Sequence, residues 1–104
     1  MGETIDIAIV GGGPAGLTAA LYGARARATT IVFEAGVPGG QIVTASWVEN
    51  YPGFPEGVSG QELGDLLFKQ AEKAGAEFRT LVPVETIRAN GQDFTLSAGK
   101  EEVD

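Results

Sequence analysis

The chain has 104 residues, 43% of them hydrophobic and 20% charged, which suits one compact domain with a core and excludes wholesale disorder. Seven basic residues against fourteen acidic ones leave a formal charge of −7, so phosphate backbones and anionic lipid are repelled, and nucleic acid and membrane are poor partners. With neither cysteine nor histidine there is no thiolate nucleophile, disulfide or imidazole base, and any redox or transfer step falls to a bound cofactor or another chain.

Met1 to Thr4 is a polar lead-in with no basic n-region, and no apolar run approaches the ~18–20 residues of a membrane span. A soluble, unsecreted, cytoplasmic protein is expected. Ile5-Asp6-Ile7-Ala8-Ile9-Val10 reads as a buried strand that stops at three glycines. Pro14 suits the first turn of a helix. Leu17, Ala20, Leu21 and Ala24 then recur at helical spacing to about Arg27, with small neighbours that allow close packing on a sheet. Thr29 to Glu34 is a second strand, closed by Gly36, so strand, helix and strand fit one βαβ unit.

Val37 to Val58 carries three prolines and four glycines and reads as a long functional connection, with Trp47, Tyr51 and Phe54 as packing residues. Ser59-Gly60-Gln61-Glu62 fits a capping box. It opens a helix through Leu63, Leu66, Leu67, Ala71 and Ala74 that Gly75 ends. Ala76–Leu81 is a third strand. Val84–Ala89 and Phe94–Ser97 form a hairpin about a turn beginning Asn90-Gly91. The tail from Gly99 to Asp104 is polar and acidic. Right-handed crossovers are expected to lay both helices on the sheet, with the first strand in its middle.

The sixteen glycines exceed the ~7% usual in proteins and point to backbone held close to a ligand. Gly11-Gly12-Gly13-Pro14-Ala15-Gly16 matches G-x-G-x-x-G between a strand and a helix. The first glycine permits the tight turn, the second the approach of a pyrophosphate, and the third close packing of helix on strand. The helix start offers free N–H groups and the positive end of its dipole to phosphates. Glu34, at the end of the next strand, is placed to accept hydrogen bonds from a ribose diol.

These residues resemble the amino-terminal FAD-binding part of the thioredoxin reductase family, which are flavoprotein oxidoreductases with FAD and NADPH as cofactors. Gly39-Gly40-Gln41, the run Val48-Glu49-Asn50-Tyr51-Pro52-Gly53-Phe54-Pro55 and Gly60-Gln61-Glu62-Leu63 are similar to further signatures of that family. The likeness runs from about Ile5 to about Phe78. It implies an α/β, Rossmann-like βαβαβ half-domain with a parallel sheet and a trailing β-hairpin, one incomplete FAD-binding domain over residues 1–104. It also implies Gly12 to Ala15 along the pyrophosphate and Glu34 on the adenosine ribose, with Ala35 and Gly36 beside the adenosine. Gly40 and Gln41 would lie beside the ribityl chain and flavin, Asn50 and Ser46 near the flavin, and Val84 with its backbone at the adenine. No residue is given a catalytic or metal-binding role.

The family's proteins are longer. The redox Cys-x-x-Cys pair, the second glycine motif for the nicotinamide cofactor and the closing flavin segment have no counterpart in this sequence. The resemblance therefore implies a portion that is inactive alone, completed by a complementary chain or a homodimer partner. Three other readings are open at this point. They are a non-catalytic module for ADP or a dinucleotide, part of a ferredoxin-type flavin reductase, and a minimal fold that binds nothing.

Overall fold

The computed structural model describes residues 3–98 and 101–103, the last three through their backbone. Met1 and Gly2 of the lead-in, and Gly99, Lys100 and Asp104 of the tail, lie outside the described residues. The elements are β1 (Ile7–Val10), α1 (Pro14–Arg25), β2 (Thr30–Glu34), a 3-10 turn (Gly40–Thr44), α2 (Gly60–Ala74), β3 (Glu77–Thr80), β4 (Thr86–Asn90), β5 (Asp93–Ala98) and β6 (Glu101–Val103). Strands β1, β2 and β3 form a parallel sheet in that order, and β4, β5 and β6 an antiparallel one.

The middle of the parallel sheet is held by β2, which corrects the expectation that the first strand sits there. Both crossovers step the same way from β1, and none of the described residues supplies a strand for its other edge. The burial follows this order. Thr30 to Phe33 are all buried, whereas Val10 at the end of β1 is 52% exposed. The expected hairpin is there, but it gains a third strand, because β5 also pairs with the acidic β6 in the register Leu96↔Val103 to Ala98↔Glu101.

Side chains alternate across β2, and this builds two cores. Val32 faces Ala20 of α1 and Ala71 of α2, joined by Ala76 and the half-buried Ile9, Leu21, Ala24 and Phe78. Ile31 and Phe33 face the antiparallel sheet through Leu96 and Ala98, with Ile5, Ala8, Val82 and Val84 packed around them. Fully burying each large apolar side chain of β2 contributes roughly 1.5–3 kcal/mol. The helices thus cover one face of the parallel sheet and the antiparallel sheet the other.

Helix α2 is capped as its sequence suggests in one direction: the Glu62 N–H donates to Ser59 Oγ at 3.1 Å. At the other end the Gly75 N–H reaches the Ala71 and Glu72 carbonyls. Within the long connection, Val48 and Val58 exchange backbone hydrogen bonds of 2.9 and 2.7 Å, which close a loop around the Tyr51–Phe54 ring pair. Trp47 is 56% exposed rather than part of a core. Its indole lies over Gly57, the space that a side chain there would need.

Candidate functional site

Register positions the site. The β1–β2 ladder runs from Ile7↔Thr30 to Val10↔Phe33 and continues one step, with the Gly11 N–H donating to the Phe33 carbonyl at 2.9 Å. The glycine turn is thereby set beside Glu34. The Glu34 carboxylate closes the corner with both oxygens: Oε1 accepts the Gly12 N–H at 2.6 Å, and Oε2 accepts the Gly36 N–H at 2.8 Å. A carboxylate oxygen has two acceptor positions, so each keeps one free for a ligand hydroxyl.

The start of α1 is a set of unused donors. Pro14 occupies the first helical position, and the first intrahelical bond is that of Leu17 N–H to the Gly13 carbonyl at 2.8 Å. The Gly13, Ala15 and Gly16 N–H groups find no acceptor among the described residues. A Cβ added at Gly13 would meet nothing within 4 Å, so there is open room against that backbone. A Cβ on Gly16, by contrast, would run into the Gly11 carbonyl. Only a glycine lets α1 begin so close to the strand that feeds it. Free N–H groups, the positive helix end and open space beside them suit a bound anion.

The connection folds back onto this corner. Gly39 and Gly40 take φ of 110° and 63°, and the Gly39 N–H donates to the Gly12 carbonyl at 2.6 Å. A Cβ on Gly40 would lie 3.0 Å from Gly13 Cα. From the other side, Leu81 N–H donates to the Gly36 carbonyl at 3.1 Å and Val82 N–H to the Glu34 carbonyl at 3.0 Å. These bonds bring the segment leading to Val84 to the same corner.

Of the residues singled out from sequence, Gly11 to Gly16, Glu34, Ala35, Gly36 and Gly40 are gathered here, and Val84 stands close by along the chain. Ala35 is exposed on the turn between Glu34 and Gly36. The side chains of Gln41, Ser46 and Asn50 are exposed further along the connection, and no hydrogen bond ties them to the glycine turn. Sequence reasoning gave no role to Gly39, Leu81 or Val82, whose backbone bonds assemble the corner. The Gly-Gly pair was the visible signal for the first, whereas nothing in the sequence marks the other two.

Residues 5–104 match the family described as pyridine nucleotide-disulphide oxidoreductase. The NADPH-dependent thioredoxin reductase 3 of Arabidopsis thaliana is 46% identical over 109 residues, covering 98% of this chain and 20% of the relative. The thioredoxin reductase of Bacillus subtilis is 51% identical over 73 residues, 70% of this chain and 23% of its own length. Among solved structures, the thioredoxin reductase of Lactococcus lactis superposes with a TM-score of 0.88 at 38% identity, over 94% of this chain and 32% of that one. A ferredoxin-flavin thioredoxin reductase from Clostridium acetobutylicum gives 0.85 at 33% identity, over 99% and 35%. The chain thus spans a fifth to about a third of the length of these relatives.

Proposed function

The chain belongs to the pyridine nucleotide-disulphide oxidoreductase family, and on that footing we propose that it is the first part of the FAD-binding domain of a thioredoxin reductase-like, NAD(P)H-dependent flavoprotein. The observation that carries this reading is the corner itself. Three unused N–H groups stand at the start of α1, with open room at Gly13, next to a carboxylate with acceptor capacity to spare.

The residues fit the adenosine-diphosphate end of FAD. Gly13, Ala15 and Gly16 would hold the diphosphate through backbone N–H groups, where each charge-assisted hydrogen bond is stronger than a neutral one. Gly12 shapes the loop rather than donating to the ligand, since its N–H is held by Glu34. Glu34 would accept the ribose hydroxyls, and Ala35, Gly36 and the backbone at Val84 would border the adenosine. Gly40, Gln41, Ser46 and Asn50 would extend the site toward the ribityl chain and flavin. When bound, FAD supplies the hydride and electron chemistry, and these residues supply binding and orientation.

The same proposal holds that the segment is inactive alone and that a complementary chain or a homodimer partner completes the site around the flavin. Because an NADPH-dependent relative aligns with it in sequence and a ferredoxin-flavin thioredoxin reductase superposes on it, this reading leaves the choice of electron donor to other parts of such proteins. No described helix is long and apolar enough to cross a membrane, and a cytoplasmic setting is part of this reading. Calorimetric titration with ADP and with FAD tests it. Binding of both, with FAD gaining little over ADP, is expected, and failure of both to bind overturns it.

A further inference from the structure

We infer that the Gly39–Gly40 turn positions the diphosphate-binding end of α1, and so governs affinity for the adenosine half of the ligand from outside it. The inference rests on the cofactor reading above. Gly12 is clamped on both sides: its N–H by Glu34 Oε1 at 2.6 Å and its carbonyl by the Gly39 N–H at 2.6 Å. Gly40 then lies against Gly13, the first residue with an unused donor; a Cβ at Gly40 would sit 3.0 Å from Gly13 Cα and 3.5 Å from its nitrogen.

The turn has no room to retreat. Gly39 is buried, and the Val43 side chain fills the space between it and helix α2: a Cβ on Gly39 would lie 2.5 Å from Val43 Cγ1, and a Cβ on Gly64 2.8 Å from the same atom. The following 3-10 turn is fastened to the same helix, with the Gly60 N–H donating to the Ala45 carbonyl at 3.0 Å. A side chain at position 40 therefore displaces Gly13 rather than the turn. Hydrogen bonds weaken steeply with misalignment, and Gly13 is the first of the three donors.

ADP is the probe, because it carries the diphosphate and adenosine but neither ribityl chain nor flavin. In Gly40→Ala the dissociation constant for ADP is expected to rise ~10-fold, as for the loss of one hydrogen bond to a charged group. Gly91→Ala is the control: φ is +74° there too, but nothing lies within 4 Å of the added Cβ. It carries the left-handed strain without the contact, and is expected to bind ADP within about twofold of the parent.

Should Gly40→Ala lose its circular dichroism spectrum, Gly64→Ala presses on the same turn from behind through the Val43 side chain, whose Cγ1 would lie 2.8 Å from the added Cβ. There a helical alanine is favoured over glycine, so a weakened ADP complex with undiminished melting temperature separates positioning from loss of fold. ADP binding by both variants as tight as by Gly91→Ala overturns the inference and leaves the cofactor reading standing. A parent chain that binds neither ADP nor FAD overturns both.

Discussion

Glu34 Oε1 and the Gly12 N–H meet at 2.6 Å across 22 residues of chain, so the acid that ends β2 is also the pin that holds the glycine turn. With its second oxygen on Gly36 N–H, the side chain must accept in both directions. Glutamine offers one acceptor and turns an amide donor toward the other N–H. In Glu34→Gln, one partly buried N–H loses its partner, at a cost of about 1–3 kcal/mol. Urea denaturation is expected to show that loss, and ADP titration a fall in affinity of at least tenfold. Unchanged values in both would show that the carboxylate is dispensable to the corner.

Gly16→Ala presents a sharper steric test. Alanine improves the intrinsic preference for helix by up to ~1 kcal/mol, yet the new methyl meets the Gly11 carbonyl oxygen, a backbone atom that cannot rotate away. Overpacking of this kind typically costs ~1–3 kcal/mol, so net destabilisation is expected in a denaturant titration. A gain in stability would mean that α1 and β1 are less tightly joined than their geometry shows.

The cap of α2 is a more local matter. Ser59 Oγ accepts the Glu62 N–H, and no reciprocal bond from the Glu62 side chain accompanies it among the described residues. Ser59→Ala is expected to lower stability by ~1 kcal/mol. Glu62→Gln should change it far less, since its own N–H is what the cap uses. Equal losses in both variants would point to a full reciprocal cap in solution.

Arg79 links the start of the chain to β3. It bonds Glu3 at 2.6 Å and Glu77 at 2.8 Å, with its guanidinium 5.6 Å from the centre of the Phe33 ring. The hydrogen bond from Arg79 holds the Glu3 carboxyl below the ordinary carboxylate value. A carboxyl depressed in the folded state contributes stability above its unfolded pKa and loses that contribution as pH falls through the folded value. The contribution is small because the Glu3 side chain stands exposed to solvent. In Arg79→Met, the Glu3 resonance followed by NMR is expected to titrate at higher pH than in the parent. An unmoved titration would show the pair to be broken in solution.

Much of this arrangement was legible in the sequence, and the gaps have physical causes. The apolar run Ile31-Val32-Phe33, the glycine turn before Pro14 and the small face of α1 all declare themselves locally, because strand burial, turn geometry and helix packing act on neighbours. Glu34 was legible through its spacing from the glycines. Strand β6 was not, since Glu101-Glu102-Val103 has no strand pattern of its own and is extended through pairing with β5. The place of β1 at an edge was equally hidden. Its apolar sequence matches an interior strand, and only the direction of both crossovers reveals otherwise. The bonds of Leu81, Val82 and Gly39 are main-chain contacts, to which side-chain identity offers little clue.

The bare flank of β1 has a colloidal consequence. Beside it lies a hollow of about 510 Å3 whose lining includes Ile5, Ile7, Val10, Ile87 and Phe94, so a strand edge that no described strand pairs and greasy side chains share one seam. Such a seam invites strand-to-strand sticking between molecules. What opposes it is the mutual repulsion of chains carrying −7 each, a force that ~1 M salt confines to about 3 Å. Concentrated samples will therefore stay clear in dilute buffer and cloud as electrolyte is added, the reverse of a protein kept dispersed by salt.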